Sequence, residues 1–241
     1  LIMTIYSMKR WRFCQNFINL LLKMSDIITQ RHCKRAFLNT PIKNQTLETI
    51  LEAAGHAASS KNTQPWQVAI CTNKTKNKLI DRMCKKFDQN EFEQPDYHYS
   101  LDPLPNEFKE RARACGYALY KLKGIDRNDN TARVAHFREN YTFFGAPVAM
   151  IFHLPMGSQR GNFLDMGLFM QNVMLGLVAH GLGSCPQFSI CSYSDTIRET
   201  LNLKNRMIVC GMAVGVPDES AAVNAFIPSR QKVHEFSTWH T

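Results

Sequence analysis

Arg31-His32-Cys33-Lys34-Arg35 puts four cation-capable side chains within five positions. Arginine presents a planar fork of donors that matches phosphate, so two in one short segment can clamp a single phosphate group. A solvated basic turn has the same composition. A second cluster, Ser59-Ser60-Lys61-Asn62-Thr63-Gln64-Pro65-Trp66, offers hydroxyl and amide groups beside exposed backbone. These suit the edge of a flat polar heterocycle, or else a polar helix-to-strand turn with Trp66 in the core. The third, Gly181-Leu182-Gly183-Ser184-Cys185-Pro186-Gln187-Phe188, allows tight turning or close backbone approach at its glycines, and Pro186 fixes the exit direction. It lacks G-x-G-x-x-G spacing, which argues against a dinucleotide fold of the Rossmann type. Cys185 has no histidine near in sequence to activate it and reads as a buried thiol rather than a nucleophile.

The elements that must hold these clusters follow from periodicity. Ser25 caps a short helix to about Arg31, and Asn44 caps one bearing Leu47, Ile50, Leu51 and Ala54 at helical spacing. Val68 to Thr72 reads as a strand and Lys74 to Phe87 as a helix. Residues 88–105, with Pro95, Pro103 and Pro105, form a long loop, and helices are expected at about 106–122 and 131–143. Ala146 to His153 and Met207 to Val214 are continuous apolar runs expected as buried strands. Between them, residues 162–180 form a helix apolar on almost every side, which needs cover all round from a core or another subunit. Gly181 is placed to end it. Ser194-Asp195 begins a helix to Leu201, and residues 218–241 form an irregular arm. Strands alternating with helices predict a layered α/β or α+β fold.

Charge and cysteines set further bounds. The chain has 29 basic and 20 acidic residues, a net charge of +9. Residues 1–23 hold Lys9, Arg10, Arg12 and Lys23 and no acidic residue. This basic, apolar segment is expected to be an extension outside the fold, an amphipathic targeting segment being the alternative, with residues 24–241 as one domain. The other bases are scattered rather than striped with aromatics, so no nucleic-acid partner is expected. No uncharged run of about 18 apolar residues predicts a membrane span. The eight cysteines include no C-x-x-C pair and no histidine at zinc-ligand spacing, so no metal site is expected, and they read as thiols of a reducing, cytoplasmic compartment.

In this order, the clusters resemble the FMN-dependent nitroreductase family. The pieces are RHCKRAFLNTPI at 31–42, SSKNTQPW at 59–66, FFGAPV at 143–148, DMGLFMQNVMLGLVAHGLGSCPQ at 165–187, CGMAVGVPD at 210–218 and PSR at 228–230. The resemblance implies an α+β fold, a three-layer α/β/α sandwich on a central mixed β-sheet, in an intertwined homodimer with FMN in clefts at the interface. It assigns Arg31, Arg35 and Arg230 to the FMN phosphate and His32 and Cys33 to the flavin tail or ring edge. Ser59, Ser60 and Asn62 form the loop that approaches the flavin, commonly from the partner subunit, and Pro186, Gln187 and Phe188 form the turn whose backbone faces the reactive edge. Cys33 stands where the family usually has serine, Ala58 where proline precedes the serine pair, and Pro228 at a position that is often basic. The implied activity is an oxidoreductase in which NADH or NADPH and then a nitroaromatic or quinone-type acceptor use one pocket in ping-pong turnover, with no side chain assigned as acid, base or nucleophile. Different flavin chemistry, such as reductive dehalogenation, and a flavin-binding redox sensor are the alternatives.

Overall fold

Two strands with continuous apolar runs organise the chain, because each is buried on both faces and so needs a helical layer on either side. The structure is a computed structural model that describes residues 24–241; the expected extension at 1–23 lies outside the described residues. The elements are α1 (24–30), β1 (Phe37–Leu38), α2 (Asn44–Ala54), β2 (Gln67–Thr72), α3 (Asn73–Asp88), α4 (Asn106–Leu122), α5 (Asn130–Arg138), β3 (Val148–Pro155), α6 (Arg160–Ala179), β4 (Gly183–Gln187), α7 (Ser194–Leu201), β5 (Arg206–Pro217) and α8 (Val233–Phe236). The sheet runs β1-β5-β3-β2, with β4 also on β5. Among the described residues every ladder is antiparallel, and the parallel component is the isolated bridge between Cys33 and Ser184.

Strand alternation divides the core. Val148, Met150, Phe152 and Leu154 of β3 and Met212 and Val214 of β5 face α2 and α6, meeting Leu47, Ile50, Phe169, Val173 and Leu177. Ala149, Ile151 and Ala213 face the other way, towards Leu79 and Met83 of α3 and Ile197 of α7. The result is a helix-sheet-helix sandwich, the expected α+β layering. Each fully buried aliphatic or aromatic side chain here contributes about 1.5–3 kcal/mol.

The register shifts between Phe152 and His153: Phe152 lies opposite Cys210 but His153 opposite Ile208, so Val209 is an extra residue in β5. A bulge releases backbone groups from the ladder, and here the loop after α3 takes them up. Tyr97 Oη donates to Val209 O at 2.5 Å, and Ile208 N donates to Asp96 Oδ2 at 2.8 Å. Asp96 also receives Arg198 Nη1 at 2.5 Å. The long proline-containing loop is therefore pinned to the sheet at residues 96 and 97.

Several boundaries differ from expectation for physical reasons. Asn44 is the first helical residue, with Lys43 at the cap position. Tyr193 rather than Ser194 precedes α7, and Ser194 Oγ instead donates to Cys191 O. Residue 24 is already helical, which puts Ser25 inside α1. The helix expected to run to 143 stops at Arg138, because Tyr141, Phe143 and Phe144 turn inward; Phe143 and Phe144 adopt positive φ, and Tyr141 and Phe143 are buried. The segment read as a glycine turn contains β4. Its Gly-Ser-Cys-Pro-Gln composition has poor strand propensity, and pairing with β5 overrides it. Gly181, at φ +70°, ends α6 as expected: Gly181 N reaches Val178 O at 3.0 Å and Leu182 N reaches Leu177 O at 2.9 Å.

Gly183, the first residue of β4, is pressed against the arginine-rich segment. A Cβ there would stand 2.7 Å from both Lys34 Cγ and the Pro217 ring. Gly183→Ala is expected to destabilise the fold by about 1–3 kcal/mol through overpacking; urea unfolding that leaves the midpoint unchanged would show that the approach is not tight.

Candidate functional site

α1 delivers the arginine-rich segment, and the start of β4 together with the C-terminal arm holds it. Arg31 N donates to Ile27 O as α1 ends, and Lys34 N donates to Ser184 O at 3.0 Å beside the Cys33–Ser184 bridge. The His32 ring nitrogens face Gln30 O at 2.7 Å and Asn224 O at 2.9 Å. Asn224, 1% exposed, is the clamp: its Oδ1 accepts from Arg35 N at 2.6 Å, and its Nδ2 donates to Ala36 O at 2.7 Å and Asp218 O at 2.9 Å. Sequence reasoning missed Asn224, since one asparagine in an irregular arm gives no periodic or motif signal.

The backbone is thus tied down while the guanidinium groups keep no carboxylate partner among the described residues. Lys34 is neutralised by Glu219 at 3.0 Å. Among the described residues, Arg31, Arg35 and Arg230 form no ion pair; Arg230 Nη1 donates only to the carbonyls of Pro228 and Ser229. Arg31, His32 and Arg230 line one cleft of ≈ 440 Å³, with Gln171 of α6 and Pro228 on its walls. Arg35 is outside that lining, but its field is felt nearby. The Cys33 thiol is held well below the ordinary thiol range, first by a hydrogen bond from Cys185, then by the charges of Arg35 and Arg31, against the opposing effect of burial. Cys185 moves the other way, pushed up by Cys33 and by burial, which suits a packed thiol and not a nucleophile. The donor set therefore fits an anion with several acceptor oxygens.

Gln187, 2% exposed, donates from Nε2 to Asn140 O at 2.5 Å, and its buried Oε1 has no partner among the described residues. That leaves an acceptor for an external N–H. Pro186 of β4 pairs with Met212 of β5, and Phe188 follows at the surface, stacked on Tyr99 at 5.6 Å and 11°.

The second cluster is elsewhere in the chain. Ser59 Oγ accepts from Gln64 N at 3.0 Å, Asn62 Oδ1 accepts from Gln64 Nε2 at 3.0 Å, and Ser60 N donates to Asp165 Oδ1 at 3.2 Å. Lys61, Asn62 and Gln64 all have φ between +46° and +57°, a run of strained non-glycine residues that the Ser59 and Asn62 bonds stabilise. Asp165 is buried in the first half of α6 with Oδ2 unpartnered. An acidic residue among the apolar positions of α6 was its available signal. Trp66 stacks on Phe169 at 5.1 Å and belongs to the core, as one reading of the sequence had it. None of Ser59, Ser60 or Asn62 lines the Arg31–Arg230 cleft of the same chain.

The Nitroreductase family model matches residues 28–216. The chain is 34% identical over 212 residues to a 4-nitrobenzoate reductase of Pseudomonas putida, spanning 88% of this chain and 92% of that one. It is 32% identical over 218 residues to a chloronitrobenzene nitroreductase of Comamonas testosteroni, spanning 90% and 96%. Among solved structures, the FMN-dependent nitroreductase NfnB from Mycobacterium smegmatis in complex with NADPH superposes with a TM-score of 0.88 at 29% identity, covering 92% of this chain and all of that one.

Two measurements probe the arginine-rich segment. Asn224→Ala strands Arg35 N–H and two carbonyls, and is expected to cost about 2–4 kcal/mol of stability; retention of wild-type stability would mean that the clamp is dispensable. Because the folded Cys33 thiol titrates below its unfolded value, its contribution to stability is complete above the unfolded value and is lost as pH falls through the folded one. Thiolate absorbance at 240 nm should therefore show a step below the ordinary thiol range that Cys33→Ser abolishes and Arg35→Gln moves upward. A step that ignores both substitutions would overturn the assignment.

Proposed function

The chain belongs to the nitroreductase family, and on that premise we propose that it is an FMN-dependent oxidoreductase that spends NADH or NADPH on nitroaromatic or quinone-type acceptors by ping-pong turnover. The observation that carries the reading is a cleft lined by Arg31 and Arg230, neither ion-paired among the described residues, beside an arginine-rich segment that Asn224 ties down at Arg35 N and Ala36 O. Residues 24–241 act as one domain in this reading, and the seven described cysteines, all free, suit a reducing cytoplasm.

Arg31, Arg35 and Arg230 would hold the FMN phosphate, and His32 and Cys33 would lie along its tail or ring edge. A thiol is a weaker hydrogen-bond partner than the family's serine, so position 33 would contribute less to holding the flavin here. Gln187 Oε1 offers an acceptor to the flavin's N–H edge, and the Pro186–Phe188 backbone would face its reactive edge. The chemistry that FMN supplies when bound is two-electron exchange between a reduced nicotinamide and the acceptor. The chain's own contribution is anchoring, ring orientation and stabilisation of negative charge by fixed cations and backbone donors. No side chain is assigned to move a proton.

We assign the working unit as a homodimer. Leu164 and Leu168, one turn apart on α6, are 67% and 42% exposed, so the helix that the sequence marked as apolar all round keeps an open apolar face in the single chain. The loop of Ser59, Ser60 and Asn62 lies outside its own chain's arginine cleft, and a second copy packed on α6 would let each chain supply that loop to its partner's flavin.

Protein loaded with FMN should be yellow, bleach when NADH or NADPH is added without oxygen, and recover its colour with a nitroaromatic. A colourless protein that cannot be loaded refutes the proposal. Arg31→Ala and Arg230→Ala should each weaken FMN affinity about tenfold to a hundredfold, as loss of a charged hydrogen bond does; unchanged affinity would place the phosphate elsewhere.

A further inference from the structure

Tyr99 and Phe188 form an aromatic pair at the surface that no packing requirement explains. Their rings stack at 5.6 Å and 11°, yet Tyr99 is 66% and Phe188 41% exposed. Burying such rings is worth more than leaving them wet, so a pair held parallel and open is a platform awaiting a third ring. Tyr99 is not free to wander, because Asp96 and Tyr97 pin its loop to the β5 bulge. It also opens onto a groove of ≈ 390 Å³ whose walls include Tyr97, His98, Gln159, Arg160 and Phe163. Tyr97 and Phe163 pack together at 4.7 Å and make the groove floor apolar.

Arg160 is the charged member of this groove. It is the first residue of α6, is exposed, and has no ion pair or side-chain hydrogen bond among the described residues. No carboxylate lines the groove. Asp96, beside Tyr97, is spent on Arg198 and Ile208 N, and Asp165, five residues beyond Arg160, holds Ser60 N. A guanidinium facing an apolar, aromatic slot pairs best with a planar carboxylate, which it can grip through two parallel N–H bonds. Its position at the positive end of a 20-residue helix adds to the same preference.

We propose that the Tyr99–Phe188 platform and Arg160 form an acceptor subsite selective for aromatic rings that carry an anionic substituent, the ring stacking on Tyr99 and the carboxylate meeting Arg160. This deepens the functional reading above and rests on it for the placement of Phe188 beside the flavin. It gives the chain a preference for negatively charged over neutral acceptors of the same shape, set by one residue outside the cofactor site.

The test separates binding from turnover. Calorimetric titration of the FMN-loaded, oxidised protein with 4-nitrobenzoate and with its neutral counterpart 4-nitrobenzamide should show the acid binding about tenfold tighter, the worth of one charge-assisted contact. Arg160→Gln should remove that difference by weakening the acid alone, Arg160→Lys should restore part of it, and Tyr99→Leu should weaken both ligands alike. Equal affinity of the two ligands for the wild type, or equal loss of both in Arg160→Gln, overturns the subsite. Binding that follows this pattern without any nicotinamide-dependent reduction of either ligand would refute the oxidoreductase reading and leave the subsite standing.

Discussion

The obligation to pair every buried backbone group of β5 shapes the rest of the molecule. This 12-residue strand is buried over most of its length, and an unpaired amide or carbonyl there would cost on the order of a lost hydrogen bond each. β3 satisfies one edge, while β4 and the short β1 take further segments. Where the register slips at Val209, the loop at 96–97 supplies the missing partners. Beyond the strand, Asp218 N continues to Ala36 O. Each of these repairs brings a functional segment to the sheet: β4 carries Pro186 and Gln187, β1 follows the arginine-rich segment, and the pinned loop carries Tyr99. The site is a consequence of how one strand completes its hydrogen bonds.

Helices α1 to α7 and strands β2, β3 and β5 were legible because their signal is redundant, whereas α8, four residues in an arm expected to be irregular, was not. In β3, Val148, Met150, Phe152 and Leu154 face one helical layer while Ala149 and Ile151 face the other, so an uninterrupted apolar run is what burial on both faces demands. The same logic exposed α6. β1 and β4 were not legible. Two residues at 37–38 carry no period, and Gly183-Ser184-Cys185-Pro186-Gln187 has the composition of a turn; only the free edge of β5 makes a strand of it. The bulge was equally invisible, since Val209 is one more apolar residue in an apolar run.

At the candidate site the arginines were legible by type and the rest was not. Arginine spacing announces an anion site, but whether the guanidinium groups are free depends on partners far away in sequence. Lys34, in the same cluster, turns out to be paired with Glu219, 185 residues on. Asn224, which fixes the segment, and Asp165, which fixes the serine loop, act through bonds spanning 189 and 105 residues. The strain at Lys61, Asn62 and Gln64 is a backbone property that side-chain identity does not announce.

The charge excess acquires meaning once paired and unpaired cations are separated. Lys34, Arg82, Lys86, Lys123, Arg138 and Arg198 each meet a carboxylate in the fold. Surface pairs of this kind contribute little, a median of about 0–1 kcal/mol, so lacking such a pair costs Arg31, Arg35, Arg160 and Arg230 little stability. Their open state therefore needs no compensation in the fold, and what it provides is field. The Cys33 thiol reports part of that field: burial alone would push it up, as it does Cys71 to about 11 and Cys191 to about 12, yet a hydrogen bond with Cys185 first, and then the charges of Arg35 and Arg31, bring it down. A buried thiol brought down against its desolvation by a neighbouring thiol and then by two arginines lies where positive charge is in excess. That is the physical condition for a phosphate, and it holds whatever the rest of the surface charge does.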